Sequence, residues 1–154
     1  MDVAIQLACE GGLMGEIPVG CVIVRDGEIL GQAHNQKESS HDPTAHAEIL
    51  AIRRSTRRTG DWQLNDATLY VTLEPCPMCM GAILEARISK VVFGAENPER
   101  GAAKTCLPLA NFPGLPTRCE VIGGVHQEKC RDITQRFFKN LRATTERGEV
   151  AEPG

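Results

Sequence analysis

"TLEPCPMCMGA", residues 72–82, sets two cysteines three positions apart, with a proline on each side of the first. The run leading into it, ATLYVTL, is rich in β-branched and aromatic residues and predicts a strand. The residues beyond the cysteines predict a helix through about Glu85. Pro77 suits the first position of that helix, which puts Cys76 at its cap and Cys79 in its first turn. There the unpaired N–H groups and the positive end of the helix dipole favour thiolates. A strand that turns straight into a helix opening on reactive side chains is α/β architecture. The cysteine pair alone fits three roles: half of a structural zinc cage, a redox couple, or part of a working metal site.

Outward from this point, strand and helix signals alternate, as in an α/β sandwich. Ala4, Ile5, Leu7 and Ala8 predict an amphipathic first helix that Gly11-Gly12 should stop. Because the helix signal begins directly after Met1, a few residues of the natural start are expected to be missing. VGCVIVRDGEILGQA reads as a hairpin around a two-residue Asp26-Gly27 turn. HDPTAHAEILAIRRST predicts a helix opening at Asp42-Pro43, with Ala45, Ile49, Leu50 and Ile52 on the helical period. KVVFGA and CEVIGGV are further strands, separated by a long Gly- and Pro-rich loop over 97–116. Gln127 to about Arg142 is a terminal amphipathic helix carrying Cys130, Ile133, Phe137 and Leu141 on one stripe. The organisation is one domain over 1–143, followed by an acidic tail over 144–154 that should fray.

With 154 residues, 42% hydrophobic and 24% charged, the composition is that of one soluble globular domain. No apolar run reaches the ~18 residues of a membrane span and no export signal opens the chain, so a cytoplasmic protein is expected. Seven cysteines, an odd number without a framework pattern, fit reduced thiols there. Cys9, Cys21, Cys106, Cys119 and Cys130 are expected to be small buried hydrophobes. The net charge of −3 excludes a globally basic polyanion binder. Three acids and one base in the last eleven residues account for much of it, however. Basic residues gather at Arg53-Arg54, at Arg57-Arg58 and from Lys129 to Arg142, so a local basic face is compatible with the charge. His34, His41 and His126 have no evident metal partners and read as surface or loop histidines.

The cysteine pair finds its partner elsewhere. A structural zinc cage wants four protein ligands, yet the chain has no second C-x-x-C. TAHAE offers His46, and one histidine with two cysteines leaves a fourth position for water, the mark of a catalytic site. Glu48 stands two residues later. On a regular helix such positions point about 200° apart, so both address one metal only if it lies beyond the helix N-terminus. Glu48 then stands near the metal-bound water as a general acid/base.

His-x-Glu followed by Pro-Cys-x-x-Cys is the pattern of zinc deaminases. With EIPVGCVIV, HNQKESSHDPTAHAEILAIR, ATLYVTLEPCPMCMGAILEARISKVVFGA and VIGGV, the chain resembles the bacterial tRNA-specific adenosine deaminases from about Ile5 to Arg142. The resemblance implies a cytidine-deaminase-like, three-layer α/β/α sandwich with a mixed central sheet of about five strands. It implies a homodimer with one zinc ion per chain, held by His46, Cys76 and Cys79. It also implies hydrolysis of the wobble adenosine of a tRNA anticodon stem-loop to inosine, with release of ammonia. Glu48 would carry the protons, Asn35 would contact the base, and the backbone of Ala47 would face it. Lys104, Arg136, Lys139 and Arg142, with Lys129, Arg131 and the Arg53–Arg58 cluster, are candidates for RNA backbone contacts. The loop reads Gly101-Ala102-Ala103-Lys104-Thr105 where the family usually has Gly-Ala-Ala-Gly-Ser, which leaves its geometry open. Two rival readings stay: a free guanine- or cytosine-type deaminase with the same zinc site, and a zinc-binding RNA module without catalysis.

Overall fold

Asp26 and Gly27 both take positive φ, 51° and 76°, and fold β1 (Gly20–Arg25) back on β2 (Glu28–His34). Two left-handed residues make the tight turn whose twist matches paired strands. A bulge between Ile23 and Val24 then shifts the register, so that Ile23 faces Gly31 while Val24 faces Ile29. The computed structural model to which this hairpin belongs describes residues 1–148. In chain order its further elements are α1 (Asp2–Leu13), α2 (Lys37–Ser40), α3 (Ala47–Thr59), β3 (Thr68–Leu73), α4 (Pro77–Glu85), β4 (Lys90–Ala95), β5 (Glu120–Ile122) and α5 (Gln127–Glu146). A single 3₁₀ turn, Leu109–Asn111, interrupts the long loop.

The sheet has the order β2-β1-β3-β4-β5. β1 runs antiparallel to both neighbours, while β3, β4 and β5 are parallel. Helices α3 and α4 touch each other on one face, and α1 and α5 touch on the other, giving a three-layer α/β/α sandwich. Parallel strands covered on both sides read as near-continuous apolar runs. Leu69, Val71, Val91 and Phe93 are accordingly fully buried, packed with Ile23, Leu64, Met80, Ile83 and Ile88.

Several local expectations shift. α1 runs through Gly11-Gly12 to Leu13. Gly11 serves close packing: a Cβ there would lie 3.1 Å from the His34 ring. Asp42-Pro43 does not open α3. Asp42 instead caps a turn, accepting from the Thr44 N–H at 2.8 Å and its hydroxyl at 2.7 Å. Helix α3 starts at Ala47 with His46 as its N-cap. Its sheet-facing residues are the small Ala47, Ala51 and Ser55 together with Glu48, while Leu50 and Ile52 only border the core. Gly31 explains this, since a Cβ there would sit 2.7 Å from the Ala51 carbonyl oxygen, so the helix lies directly on the strand. Cys9 and Cys106 are exposed, whereas Cys21, Cys119 and Cys130 are buried. α5 continues to Glu146, into the stretch expected to fray, and Leu141 on it is exposed. Residues 149–154 of the acidic tail lie outside the described residues.

The closest backbone approach predicts a large stability effect. A Cβ at Gly20 would fall 1.9 Å from the Ala4 carbonyl oxygen and 2.7 Å from the Ala8 nitrogen. Relieving that overlap means pushing α1 off β1. Gly20→Ala is therefore expected to cost about 3 kcal/mol or more, read as a lowered denaturant midpoint.

Candidate active site

Two helix N-termini meet at the end of β3. Cys76 caps α4 in extended conformation, with Pro77 at the first helical position, and His46 caps α3 in the same way. His46 Nδ1 lies 3.6 Å from Cys76 Sγ and 3.5 Å from Cys79 Sγ. The three donor atoms all lie within 4.8 Å of one another. Tetrahedral zinc with Zn–S of about 2.3 Å and Zn–N of about 2.0–2.1 Å sets sulfur and nitrogen about 3.6 Å apart. The donor set and its spacing therefore fit a zinc ion with three protein ligands.

The contacts within the triad shift its members in opposite directions. A hydrogen bond from Cys79 holds the Cys76 thiol down at about 3, helped by His46 and opposed by burial. The same bond, then burial and the nearby Glu48 charge, push Cys79 far above its ordinary value. The hydrogen bond to Cys76 raises His46, while burial and Arg100 oppose it. Metal at this point lets both sulfurs be thiolates and the ring be neutral.

Glu48 sits in the first turn of α3 with its carboxylate buried, 3.5 Å from Cys79 Sγ. Burial pushes it up to about 7, against the pull of its own backbone N–H and of His46. A carboxyl poised near neutrality can both take and give a proton.

These groups open into a cavity of about 600 Å³. Asn35, Ala47, His46, Glu48 and Cys76 line it, with the 95–100 loop and one side of α5 as further walls. Asn35 is buried, and its Oδ1 has no hydrogen-bond partner among the described residues. An orphaned buried acceptor on a cavity wall is suited to a ligand donor. Ala47 is the first residue of α3, so its N–H has no partner within the helix.

Two buried acids, Glu16 at the head of EIPVGCVIV and Glu74 within TLEPCPMCMGA, have a role that the spacing of the motifs does not assign. Glu74, just before Pro75-Cys76, accepts from the N–H groups of Asn97, Lys104 and Thr105 at 3.3, 3.0 and 3.0 Å, and from the Thr105 hydroxyl. It clasps the loop whose geometry the Gly101–Thr105 variant left open. Gly101 fits against it so closely that a Cβ would lie 2.5 Å from Glu74 Oε1. Glu16 likewise accepts from Glu38 and Ser39 N–H at 3.1 and 2.7 Å, holding α2 beside Asn35. Glu74 is legible only as an acid stranded between a buried strand and a proline, and Glu16 only as the acid that opens EIPVGCVIV.

The basic clusters fare unevenly. Arg54 and Arg58 donate to the Gln32 and Ile29 carbonyls, each at 2.7 Å, covering the open edge of β2. Lys104 pairs with Glu96 at 3.8 Å. On α5 the cavity is lined by Gln127, Arg131, Thr134, Gln135 and Phe138, and Arg136, Lys139 and Arg142 are not among the lining residues. Of the histidines, His34 bonds the Asn35 carbonyl oxygen at 2.8 Å and His126 faces Asp2 at 3.6 Å.

The chain is similar in sequence and in fold to known proteins. The family model for the cytidine and deoxycytidylate deaminase zinc-binding region matches residues 1–95. The tRNA-specific adenosine deaminase of Bacillus subtilis is 44% identical over 142 residues, covering 92% of this chain and 88% of that protein. A solved structure of a tRNA:A34 deaminase, studied for A-to-I editing at the wobble position of transfer RNA, superposes with TM-score 0.84 at 36% identity. That match covers 86% of this chain and 96% of that one. The X-ray structure of guanine deaminase from Bacillus subtilis is 46% identical with TM-score 0.61, over 69% of this chain and 67% of that one. The metal-binding triad at the two helix ends thus lies in a sandwich shared along nearly the whole chain, and the chain belongs to the cytidine and deoxycytidylate deaminase zinc-binding family, as a relative of its tRNA-specific adenosine deaminases.

Proposed function

We propose that this chain is a zinc-dependent hydrolase that converts adenosine to inosine at the wobble position of a tRNA anticodon loop. The observation that carries the reading is the cavity that brings Asn35, with its unpaired side-chain oxygen, together with Glu48, His46 and Cys76. An amide that can both donate and accept, as Asn35 can, suits the edge of a purine. The wobble-deaminase relatives support the same substrate, because they align through α5, which forms one cavity wall.

Zinc bound by His46, Cys76 and Cys79 supplies an acidified water at neutral pH. Glu48 takes one proton from the water that attacks C6 and gives it to N1, then takes the second from the new C6 hydroxyl and gives it to the departing amine. The C6–N6 bond breaks, ammonia leaves, and the oxygen of water stays as the C6 carbonyl. Each pair of transfers returns Glu48 to its starting state. The base must leave its stack to reach Glu48, and an anticodon loop, already single-stranded, keeps that cost small.

Lys104, Arg136, Lys139 and Arg142 belong to the outer surface that anticodon RNA would cross. The working form is a homodimer in the cytoplasm. Exposed apolar side chains at Trp62, Met78, Leu107 and Phe112 support the dimer, and seven cysteines outside any disulfide support the compartment. Among the described residues no helix is long and apolar enough to cross a membrane.

The guanine deaminase match supports a second reading, a free-base deaminase with the same metal site. One assay separates the two. Zinc-loaded protein is incubated with an anticodon stem-loop bearing wobble adenosine, and separately with guanine, cytosine and adenosine. Inosine in the stem-loop, with at least about 100-fold lower kcat/KM on every free compound, is expected. Turnover of guanine without inosine in the stem-loop would replace this function with the second.

A further inference from the structure

Glu74 is a buried acid of the active-site cavity that takes no part in the proton transfers. It is 1% exposed, follows directly on β3 and stands two residues before Cys76 of the metal-binding triad. Its N–H is fixed to the sheet, donating to the Ala95 carbonyl oxygen at 2.9 Å. Its carboxylate serves a single partner segment. Oε2 accepts from the N–H groups of Lys104 and Thr105, and Oε1 from the Asn97 N–H and the Thr105 hydroxyl. Both ends of the 97–105 loop thus hang on one side chain. A buried carboxylate is costly unless donors surround it, and irregular backbone beside a core needs acceptors. The two needs meet here, so the acid is explained by the loop it holds.

Further bonds carry this grip into the cavity wall. Asn97 Oδ1 accepts from the Glu99 and Arg100 N–H groups at 3.3 and 3.1 Å, and the Gly101 N–H donates to the Asn97 carbonyl oxygen at 2.9 Å. Asn97, Pro98, Glu99 and Arg100 are therefore one turn, and all four line the cavity. The Ala102 N–H donates to the Pro75 carbonyl oxygen at 2.8 Å, next to Cys76. Gly101 leaves no slack, since a Cβ would lie 2.5 Å from Glu74 Oε1 and 2.6 Å from the Asn97 carbonyl oxygen. The reacting groups are carried elsewhere: His46 and Glu48 at the start of α3, Cys76 and Cys79 at that of α4. The loop contributes wall and no chemistry. Resting on the deaminase reading above, we infer that Glu74 is a positioning residue for substrate. Its hold on Asn97, Lys104 and Thr105 sets where the 97–100 wall stands relative to Cys76, and so how closely the base is confined beside Glu48. Wall contacts that act alike on bound substrate and on the transition state show in KM and leave kcat in place.

The test compares zinc-loaded variants on the stem-loop. Glu74→Gln keeps the size of the side chain but sets an NH2 group against backbone donors. It is expected to raise KM about tenfold, with kcat within about threefold of wild type and about one zinc per chain. Gly101→Ala wedges the same contact apart without changing charge and should raise KM to a similar extent. Thr105→Val removes only the hydroxyl donor and should raise KM less, while Thr105→Ser restores the donor and returns KM to the wild-type value. Leu64→Ala, a truncation in the core away from the lining, should lower the melting temperature with KM unchanged. A KM increase in Leu64→Ala as large as in Glu74→Gln, or wild-type KM in both Glu74→Gln and Gly101→Ala, would overturn the positioning role. So would loss of zinc and of kcat at wild-type KM, which assigns the grip to the metal ligands instead. If Glu74→Gln does not fold, Gly101→Ala and the two Thr105 variants decide. Wild-type protein that turns over guanine and makes no inosine in the stem-loop sinks the RNA substrate alone, and the same KM comparison on guanine then decides the role of Glu74.

Discussion

Glu48→Gln is expected to keep about one zinc per chain and to lose at least about 10³-fold in kcat. The carboxylate lies 3.5 Å from Cys79 Sγ, beside the donor set without belonging to it, so an amide of the same size leaves the three donors in place. The substitution removes the only buried carboxyl among the described cavity residues that is free to exchange protons. Glu74, the other buried acid there, has its oxygens saturated by the 97–105 loop. Stability should change little, because burial already drives Glu48 toward its neutral form. Inosine release by chromatography, paired with metal analysis of the same preparation, checks the result. Turnover within tenfold of wild type would remove Glu48 from the chemistry. The same outcome would revive the reading of a zinc-binding RNA module, which has no use for this carboxylate.

Cys79→Ala should act one step earlier. With Cys79 gone, only His46 and Cys76 remain of the three donors, and two ligands do not retain zinc against dilution. The expected result is substoichiometric metal and a loss of turnover of about 10⁴-fold or more. Since metal held by the folded chain stabilises it by mass action, a chelator should lower the melting temperature of wild type. It should leave that of Cys79→Ala where it is. A variant that keeps full zinc would mean a further side chain closes the coordination sphere, and the open position for water would be lost with it. A thiol–disulfide enzyme makes the opposite prediction, with activity that tracks the redox state of Cys76 and Cys79 and ignores chelators.

Both outcomes depend on features that differ in how they can be read. The Pro-Cys-x-x-Cys and His-x-Glu spacings are local: proline and the helix start decide where Cys76, Cys79, His46 and Glu48 point, whatever the rest of the chain does. The hairpin at Asp26-Gly27 is local as well, because two positive-φ residues dictate a tight turn. The apolar runs of β3 and β4 announce strands covered on both faces. For these, amino-acid order is sufficient. The start of α3 differs from its sequence signal because Asp42-Pro43 suits a turn as well as a cap, and the Thr44 contacts that choose the turn are a matter of geometry. Gly11-Gly12 misleads for a related reason: glycine marks either a helix end or a close approach, and only the position of His34 tells which.

By itself, then, the order of residues determined the strand–helix alternation, the metal-binding set and the acid beside it, since each depends on the bonding geometry of a few neighbours. Only the tertiary structure decided that His46 stands 3.5 to 3.6 Å from two sulfurs about thirty residues away. It likewise decided that Glu74 clasps the 97–105 loop and that the same loop lines the cavity. Those facts depend on which strands pair and how closely helices settle on the sheet. Burial and packing over the whole chain set such distances, and no short stretch encodes them.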